Sequence, residues 1–138
     1  MKLRKLLSGL LCLMLVVSLS VPVFAADVPY SFSLTNTGTR YVKAVTEPNQ
    51  KVLPNDPGTI KSTGTNAPGW GFYMRLKNYD FYNMETYSYW YNNSNMVRHP
   101  AYVDQAHSDQ KDYFIEGRID NDYYGTYYIS GAFNADYT

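Results

Sequence analysis

Two stretches of the chain alternate strictly between apolar and polar residues. Val, Tyr, Phe and Leu occupy every second position of 28–35, and Trp, Phe, Met and Leu do so in 70–77. Successive side chains of a strand point to opposite faces, so this period predicts two half-buried β-strands. Pro29, near the start of the first stretch, predicts that this strand lies at a sheet edge, because proline cannot donate a ladder hydrogen bond.

Shorter segments with the same period predict further strands. Residues 39–46 alternate after a short polar turn and predict a first hairpin with 28–35. Residues 86–91 carry tyrosine at every second position, with Trp90 on the other face, and 96–103 predict another short strand. No segment of the chain after the first 25 residues has the 3.6-residue period of an amphipathic helix.

The end of the chain predicts a hairpin with a defined register. Residues 113–119 and 123–133 flank the Asp-Asn-Asp sequence at 120–122, and short Asx-rich connections suit tight turns. A three-residue loop would place Ile115 opposite Tyr127 and collect the aliphatic residues of both strands on one face.

Two glycines would then face each other on the buried side of this hairpin. Gly117 and Gly125 have no side chain to fill the space between them. We therefore expect a large ring from a facing strand to occupy the gap.

Residues 47–69 follow neither period. Four of the seven prolines and three glycines fall here, with few apolar residues. This composition predicts a long surface connection that contains at most one short edge strand, around 59–62.

Short strands joined by polar turns predict an all-β fold, an antiparallel β-sandwich, with a small barrel as the less favoured variant. Strict alternation argues against a parallel sheet, whose strands are apolar on both faces. We expect a single domain at 26–138.

The first 25 residues have the features of a cleaved signal peptide. A basic start precedes an apolar run at 6–21, and Val-Phe-Ala at 23–25 supplies small residues for cleavage after Ala25. We therefore expect a secreted, extracellular protein with no integral membrane segment after cleavage. An uncleaved anchor is the alternative, although the run is interrupted and barely reaches the roughly 20 residues of a span.

Removal of the signal changes the charge and the sulfur content. Residues 26–138 hold 9 basic and 12 acidic residues, a net charge of −3, and no cysteine. Their basic residues are scattered singly, so we expect no nucleic-acid partner. The domain must fold without disulfides, and its 22 aromatic residues supply apolar area for a core.

Candidate metal and catalytic residues lack the expected spacing. His99 and His107 stand eight residues apart in a segment without strand pattern, so we predict no metal or other cofactor. The 120–122 sequence is similar to the start of a calcium loop, but Tyr124 occupies the third ligand position, which favours a turn. Glu116 is predicted to be a solvated strand charge beside Arg118.

No nucleophile motif is present either. Residues 26–138 contain neither a cysteine nor a Gly-x-Ser-x-Gly sequence. Two of Glu47, Glu85 and Glu116 could form a glycosidase pair only if the fold brought them together. We expect a protein without enzymatic activity.

The count of 15 tyrosines exceeds what a core of this size needs. Exposed aromatic rings stack on sugars and are enriched at interfaces, although tyrosine is also a strong strand former. The candidate binding residues are Tyr73, Tyr87, Tyr89, Trp90, Tyr91, Tyr124 and Tyr128.

The two ends of the chain carry a resemblance. Ala-Asp-Val-Pro-Tyr-Ser-Phe-Ser at 26–33 and the Tyr-rich stretch at 119–133, which contains Ser130-Gly131, resemble an uncharacterised family of small secreted, cysteine-free, Tyr-rich proteins of Gram-positive bacteria. Ala132-Phe133 departs from the family's ending. That family has no assigned activity. In general design the chain is also similar to lactococcin-type bacteriocins, which are small secreted β-sandwiches.

Three functions remain open on this basis. The first is a secreted, non-enzymatic binding or antagonism protein, bacteriocin-like, that acts at the cell envelope through an aromatic face. The second is a stand-alone carbohydrate-binding module that holds a polysaccharide on a platform of Tyr87, Tyr89, Trp90 and Tyr91. The third is a small secreted hydrolase. The sequence does not define an oligomeric state.

Overall fold

The computed structural model describes residues 26–35, 40–67, 71–80, 84–92, 95–119 and 125–137. The predicted signal peptide lies outside these residues. Within them the secondary structure is nine strands and a short 3₁₀ helix, Gln105–His107. The strands are β1 (Val28–Thr35), β2 (Val42–Lys43), β3 (Asn49–Gln50), β4 (Thr59–Thr65), β5 (Phe72–Lys77), β6 (Tyr89–Tyr91), β7 (Met96–Arg98), β8 (Asp112–Arg118) and β9 (Thr126–Asn134).

The strands form two sheets in which every pairing is antiparallel. The four-stranded sheet has the order β1-β9-β4-β7. The five-stranded sheet has the order β2-β8-β5-β6, and β3 pairs with β8 beside β2. The predicted all-β sandwich is thus confirmed, and β1 lies at an edge as Pro29 indicated.

The core lies between the two sheets and is built by the alternating residues. Phe72, Met74 and Leu76 of β5 face Tyr30 and Leu34 of β1, and all five are buried. The ring of Phe32 lies over Gly117, so close that a Cβ atom there would stand 2.9 Å from two ring carbons. A ring thus lies over Gly117 as predicted, and it comes from the facing sheet. The predicted pairing of Gly117 with Gly125 is wrong, because Gly117 stands opposite Val42 and Met74.

Both predicted hairpins are wrong. β8 pairs with β5, β2 and β3, whereas β9 pairs with β1 and β4 in the other sheet. Likewise, β1 and β2 belong to different sheets. Ile115 and Tyr127 are therefore not cross-strand neighbours. Side-chain parity fixes which face of a strand is buried, but a strand and its successor can bury the same faces in one sheet or in two facing sheets.

The segment 47–69 is more ordered than its composition predicts. β4 lies between β9 and β7 and is a central strand, not an edge strand. Its Ile60 and Ser62 are buried, at 0% and 1% exposure. Ser62 stands opposite Gly131 in β9, and rings from β1 supply the bulk that the small residues of β4 lack.

A buried ion pair joins this segment to the end of the chain. Lys51 Nζ lies 3.2 Å from Asp136 Oδ1, and both side chains are almost completely buried. The ammonium group also donates to the carbonyl oxygens of Leu53 (2.6 Å) and Asp56 (2.7 Å). The carboxylate accepts the backbone N–H groups of Val52 and Leu53, each at 3.0 Å. Each charge thus has several partners, as a buried ion pair requires.

Candidate functional site

The outer face of the five-stranded sheet concentrates aromatic and charged side chains. They come from β2, β5, β6, β8 and the loops beside them, and we call them the aromatic–cationic face. Its members are Tyr41, Lys43, Tyr73, Arg75, Lys77, Tyr79, Glu85, Trp90, Phe114, Glu116 and Arg118.

The period of the two central strands places these side chains outside. In β5 the buried residues alternate with Tyr73, Arg75 and Lys77, which are partly exposed. In β8, buried Ile115 and Gly117 alternate with residues that point the other way. Antiparallel register then sets the rows across the sheet, and it places Tyr73 between Trp90 of β6 and Arg118 of β8.

Two arginines pack on tyrosine rings. The guanidinium carbon of Arg75 lies 4.1 Å from the ring centre of Tyr41, and that of Arg118 lies 5.5 Å from the same centre. Arg118 also lies 4.6 Å from the ring centre of Tyr73. These distances are within the roughly 6 Å range of cation–π attraction. The Tyr41 hydroxyl hydrogen-bonds Ser88 Oγ, which anchors the ring at the edge of the sheet.

Glu116 links the two halves of the face. Its carboxylate accepts from Arg75 Nε at 2.6 Å and from the Tyr79 hydroxyl at 2.5 Å. The prediction of a solvated Glu116 is wrong: the residue is 3% exposed, because Arg75 and Tyr79 cover it. Arg75 also binds Glu85 Oε1, at 3.0 Å from Nη1.

A lysine and two rings form the other end of the face. Lys43 Nζ lies 3.4 Å from the ring centre of Phe114 and 4.6 Å from that of Tyr79, and the two rings meet edge to face. Burial, followed by the hydrogen bond to Glu116, raises the pKa of Tyr79 well above 10, so its hydroxyl stays a donor at neutral pH.

The predicted binding residues do not share one surface. Tyr73 and Trp90 are neighbours on the aromatic–cationic face, with Trp90 39% exposed. Tyr87 and Tyr89 are exposed along the edge of the same sheet, and Tyr89 points to the inner side, opposite Met74.

The remaining predicted binding residues are Tyr91, Tyr124 and Tyr128. Tyr91 is fully buried and stacks on Phe72, so it belongs to the core and no ligand can reach it, contrary to the prediction. Tyr128 is 64% exposed but lies on the four-stranded sheet. Tyr124 lies outside the described residues. The predicted platform of four rings at 87–91 is therefore not formed.

Sequence reasoning missed most of the face. Tyr41, Lys43, Tyr79 and Phe114 join it through strand order, which a single sequence does not reveal. The outward period of β8 was a usable signal for Phe114.

The face is electropositive on an acidic protein. It carries four basic residues and, with Asp112, which β8 exposes on the same side, three acidic ones. The face thus has a formal charge of +1, whereas residues 26–138 together sum to −3. Such an asymmetry attracts anionic ligands to one side of a protein.

The two histidines lie apart from the face and from each other. His99 Nδ1 hydrogen-bonds Thr59 Oγ1 at 3.2 Å and its ring packs on Tyr137. His107 is paired with Asp104 at 3.0 Å on the protein surface. Among the residues that the structure describes, no three His, Cys, Asp or Glu side chains are grouped to hold a metal ion. The described ranges also contain no helix long and apolar enough to span a membrane.

No protein-family model, curated protein or solved structure matches the chain.

Proposed function

We propose that the protein is a secreted, non-enzymatic binding protein that acts at the cell envelope through the aromatic–cationic face. The observation that carries this proposal is that neighbouring side chains hold the arginines of that face in fixed positions. Rings hold Arg75 and Arg118 in place, and Glu116 cross-links the strands beneath them. Side chains that are already fixed lose little entropy on binding, which favours recognition.

The charge of the face indicates the kind of ligand. A net positive, ring-bearing surface on a net negative domain suits an anionic polymer, such as a phosphate-bearing glycopolymer of a Gram-positive cell wall. Guanidinium groups bind phosphate and carboxylate in a planar, bidentate manner. Binding to a neighbouring cell would serve antagonism of the bacteriocin kind, and binding to the producer's own wall would retain the protein there.

Cosedimentation with insoluble cell-wall preparations tests the proposal. We expect the purified protein to cosediment, and we expect Trp90→Ala to weaken this by about tenfold. Tyr137→Ala is the matched control, because Tyr137 is also exposed, at 55%, but lies away from the face. Equal retention of both variants, or no retention of the wild type, would contradict the proposal.

Salt dependence tests the charge argument. Binding to an anionic polymer falls steeply as salt rises, because exposed charges are screened over about 10 Å at 0.1 M. Poly(glycerol phosphate) and dextran serve as anionic and neutral probes. A growth-inhibition assay on neighbouring strains then separates antagonism from retention.

A carbohydrate-binding module is the second candidate, and the position of Trp90 directly opposite Tyr73 favours it. Neutral sugars would stack on the exposed indole ring. In that case dextran, or another neutral polysaccharide, would bind without salt dependence and would quench tryptophan fluorescence.

A further inference from the structure

The outer face of the four-stranded sheet has the opposite character. Its two long strands present small hydroxyl residues to solvent, and register pairs them as Ser31 with Ser130 and Thr35 with Thr126. The hydroxyls of Thr35 and Thr126 hydrogen-bond each other at 2.8 Å. Tyr128, on the same side of β9, is the large exposed ring among them.

A bulge in β4 opens a cavity in this face. The register between β4 and β9 shifts between Ser62 and Gly64. Gly64 then stands opposite Ser130, whose hydroxyl donates to the Gly64 carbonyl oxygen at 3.4 Å. The cavity beside them is an open surface pocket with a volume of about 270 Å³, and it is lined by Ser31, Gly64, Thr65, Asn66, Tyr128, Ile129 and Ser130.

Hydrogen bonds fix the walls of this cavity. The Tyr128 N–H donates to Asn66 Oδ1 at 2.6 Å, and the Asn66 N–H donates to the Tyr128 carbonyl at 3.3 Å. Thr65 Oγ1 accepts the Ala67 N–H at 2.9 Å, which leaves its own proton for donation. The amide Nδ2 of Asn66 is likewise a donor. The site is therefore built from backbone-anchored polar groups.

The chemistry of the lining selects a class of ligand. Ser, Thr and Asn supply both donors and acceptors, and among the described residues no Lys, Arg, Asp, Glu or His lines the cavity. A charged ligand would lose solvation there without gaining a counter-charge. A pyranose ring presents alternating hydroxyls to such a lining. Its C–H face can also pack on the negative face of the Tyr128 ring.

We propose that this cavity is a binding site for one neutral sugar unit. Its volume of about 270 Å³ lies just below the roughly 300–1,000 Å³ that ligand pockets occupy, which suits a single ring better than a long oligosaccharide. The site lies on the opposite side of the sandwich from the aromatic–cationic face, so it is independent of the function proposed above. A ligand bound here leaves that face free.

Chemical shift titration of the purified ¹⁵N-labelled protein tests the site. The probes are D-glucose, D-galactose and N-acetyl-D-glucosamine, with inorganic phosphate as the charged comparison. We expect saturable shifts in the amides of 64–66 and 128–130 with at least one sugar, at a dissociation constant of about 1 mM, and none with phosphate. Saturation by phosphate alone, or by no sugar, overturns the proposal.

Variants of Tyr128 and Gly64 test whether sugar binding needs the tyrosine ring and the open cavity. Tyr128→Phe keeps the ring and should bind as the wild type does, whereas Tyr128→Ala should lose about tenfold in affinity. In Gly64→Val the new Cβ would lie 2.7 Å from Ser130 Oγ, a hydroxyl that can rotate away, so the sheet persists while the cavity is filled. Trp90→Ala is the control on the other sheet. Unchanged sugar binding in Gly64→Val, or its loss in Trp90→Ala, would overturn the assignment.

Discussion

Removal of one partner of the Lys51–Asp136 ion pair should destabilise the whole domain. In Asp136→Ala the ammonium group of Lys51 stays buried, at 0% exposure, without a counter-charge. The N–H groups of Val52 and Leu53 lose their acceptor in the same variant. Breaking a buried pair in this way costs about 3–5 kcal/mol, a large part of the roughly 5–15 kcal/mol that holds a domain of this size.

Urea and thermal unfolding measure the effect. A loss of that size corresponds to a decrease of roughly 10 to 25 °C in Tm. Asp136→Asn removes the charge but keeps one oxygen, which can still accept the Leu53 N–H, whereas the Val52 N–H loses its acceptor. Its loss should therefore be smaller than that of Asp136→Ala. In the double variant Lys51→Met, Asp136→Leu no charge is left buried, and it should be more stable than Asp136→Ala.

The exposed pair between Lys61 and Asp27 is the matched control. Its atoms lie 2.7 Å apart, yet both side chains are about one third exposed. Lys61→Ala should therefore cost only about 0.2–1 kcal/mol, and salt should weaken this pair but not the buried one. If Asp136→Ala costs no more than Lys61→Ala, then water reaches Lys51 and the argument from burial is wrong.

The core yields three further predictions. Tyr91→Phe should raise the free energy of unfolding by about 1 kcal/mol, because among the described residues no group hydrogen-bonds its buried hydroxyl. A loss of stability in urea would show that the hydroxyl does have a hydrogen-bond partner. Burial raises the pKa of Tyr30 and Tyr102 well above 10, so the stability they contribute is complete below pH 10. As the pH rises further, the free energy of unfolding should fall by about 1.4 kcal/mol per pH unit for each tyrosine. If urea unfolding gives the same free energy from about pH 8 to pH 11, this prediction is wrong. Gly117→Ala should cost about 1–3 kcal/mol through its clash with Phe32, and adding Phe32→Leu should recover most of the loss.

Local patterning was enough to predict the fold class and the buried face of the two strictly alternating strands. The period of two in 28–35 and 70–77 identified Tyr30, Leu34, Phe72 and Met74 as core residues, and all are buried. Which residues of a strand are buried follows from the alternation within that strand, without knowledge of its neighbours. The ring over Gly117 was expected from a hairpin that does not form, yet it is present because a buried glycine in a sheet leaves space that a neighbour must fill.

Pairing and the buried ion pair could not be predicted in the same way. Ile115 satisfies its parity equally well opposite Leu76 of β5, its observed partner, as opposite Tyr127, the predicted one. The sequence alone predicts an exposed Lys51, because it does not show that Asp136, 85 positions further on, lies beside it. The aromatic–cationic face depends on strand order for the same reason. Tyr73 and Trp90 were both candidate binding residues, but only the pairing of β5 with β6 shows that they are neighbours.

The position of β9 has a consequence for how the chain matures. β9 is the last strand in sequence, yet it lies between β1 and β4 and pairs with both. Without 126–134, β1 and β4 lack the strand that lies between them, so the four-stranded sheet cannot form until this segment has joined it. Assembly that depends on such distant pairings is slow.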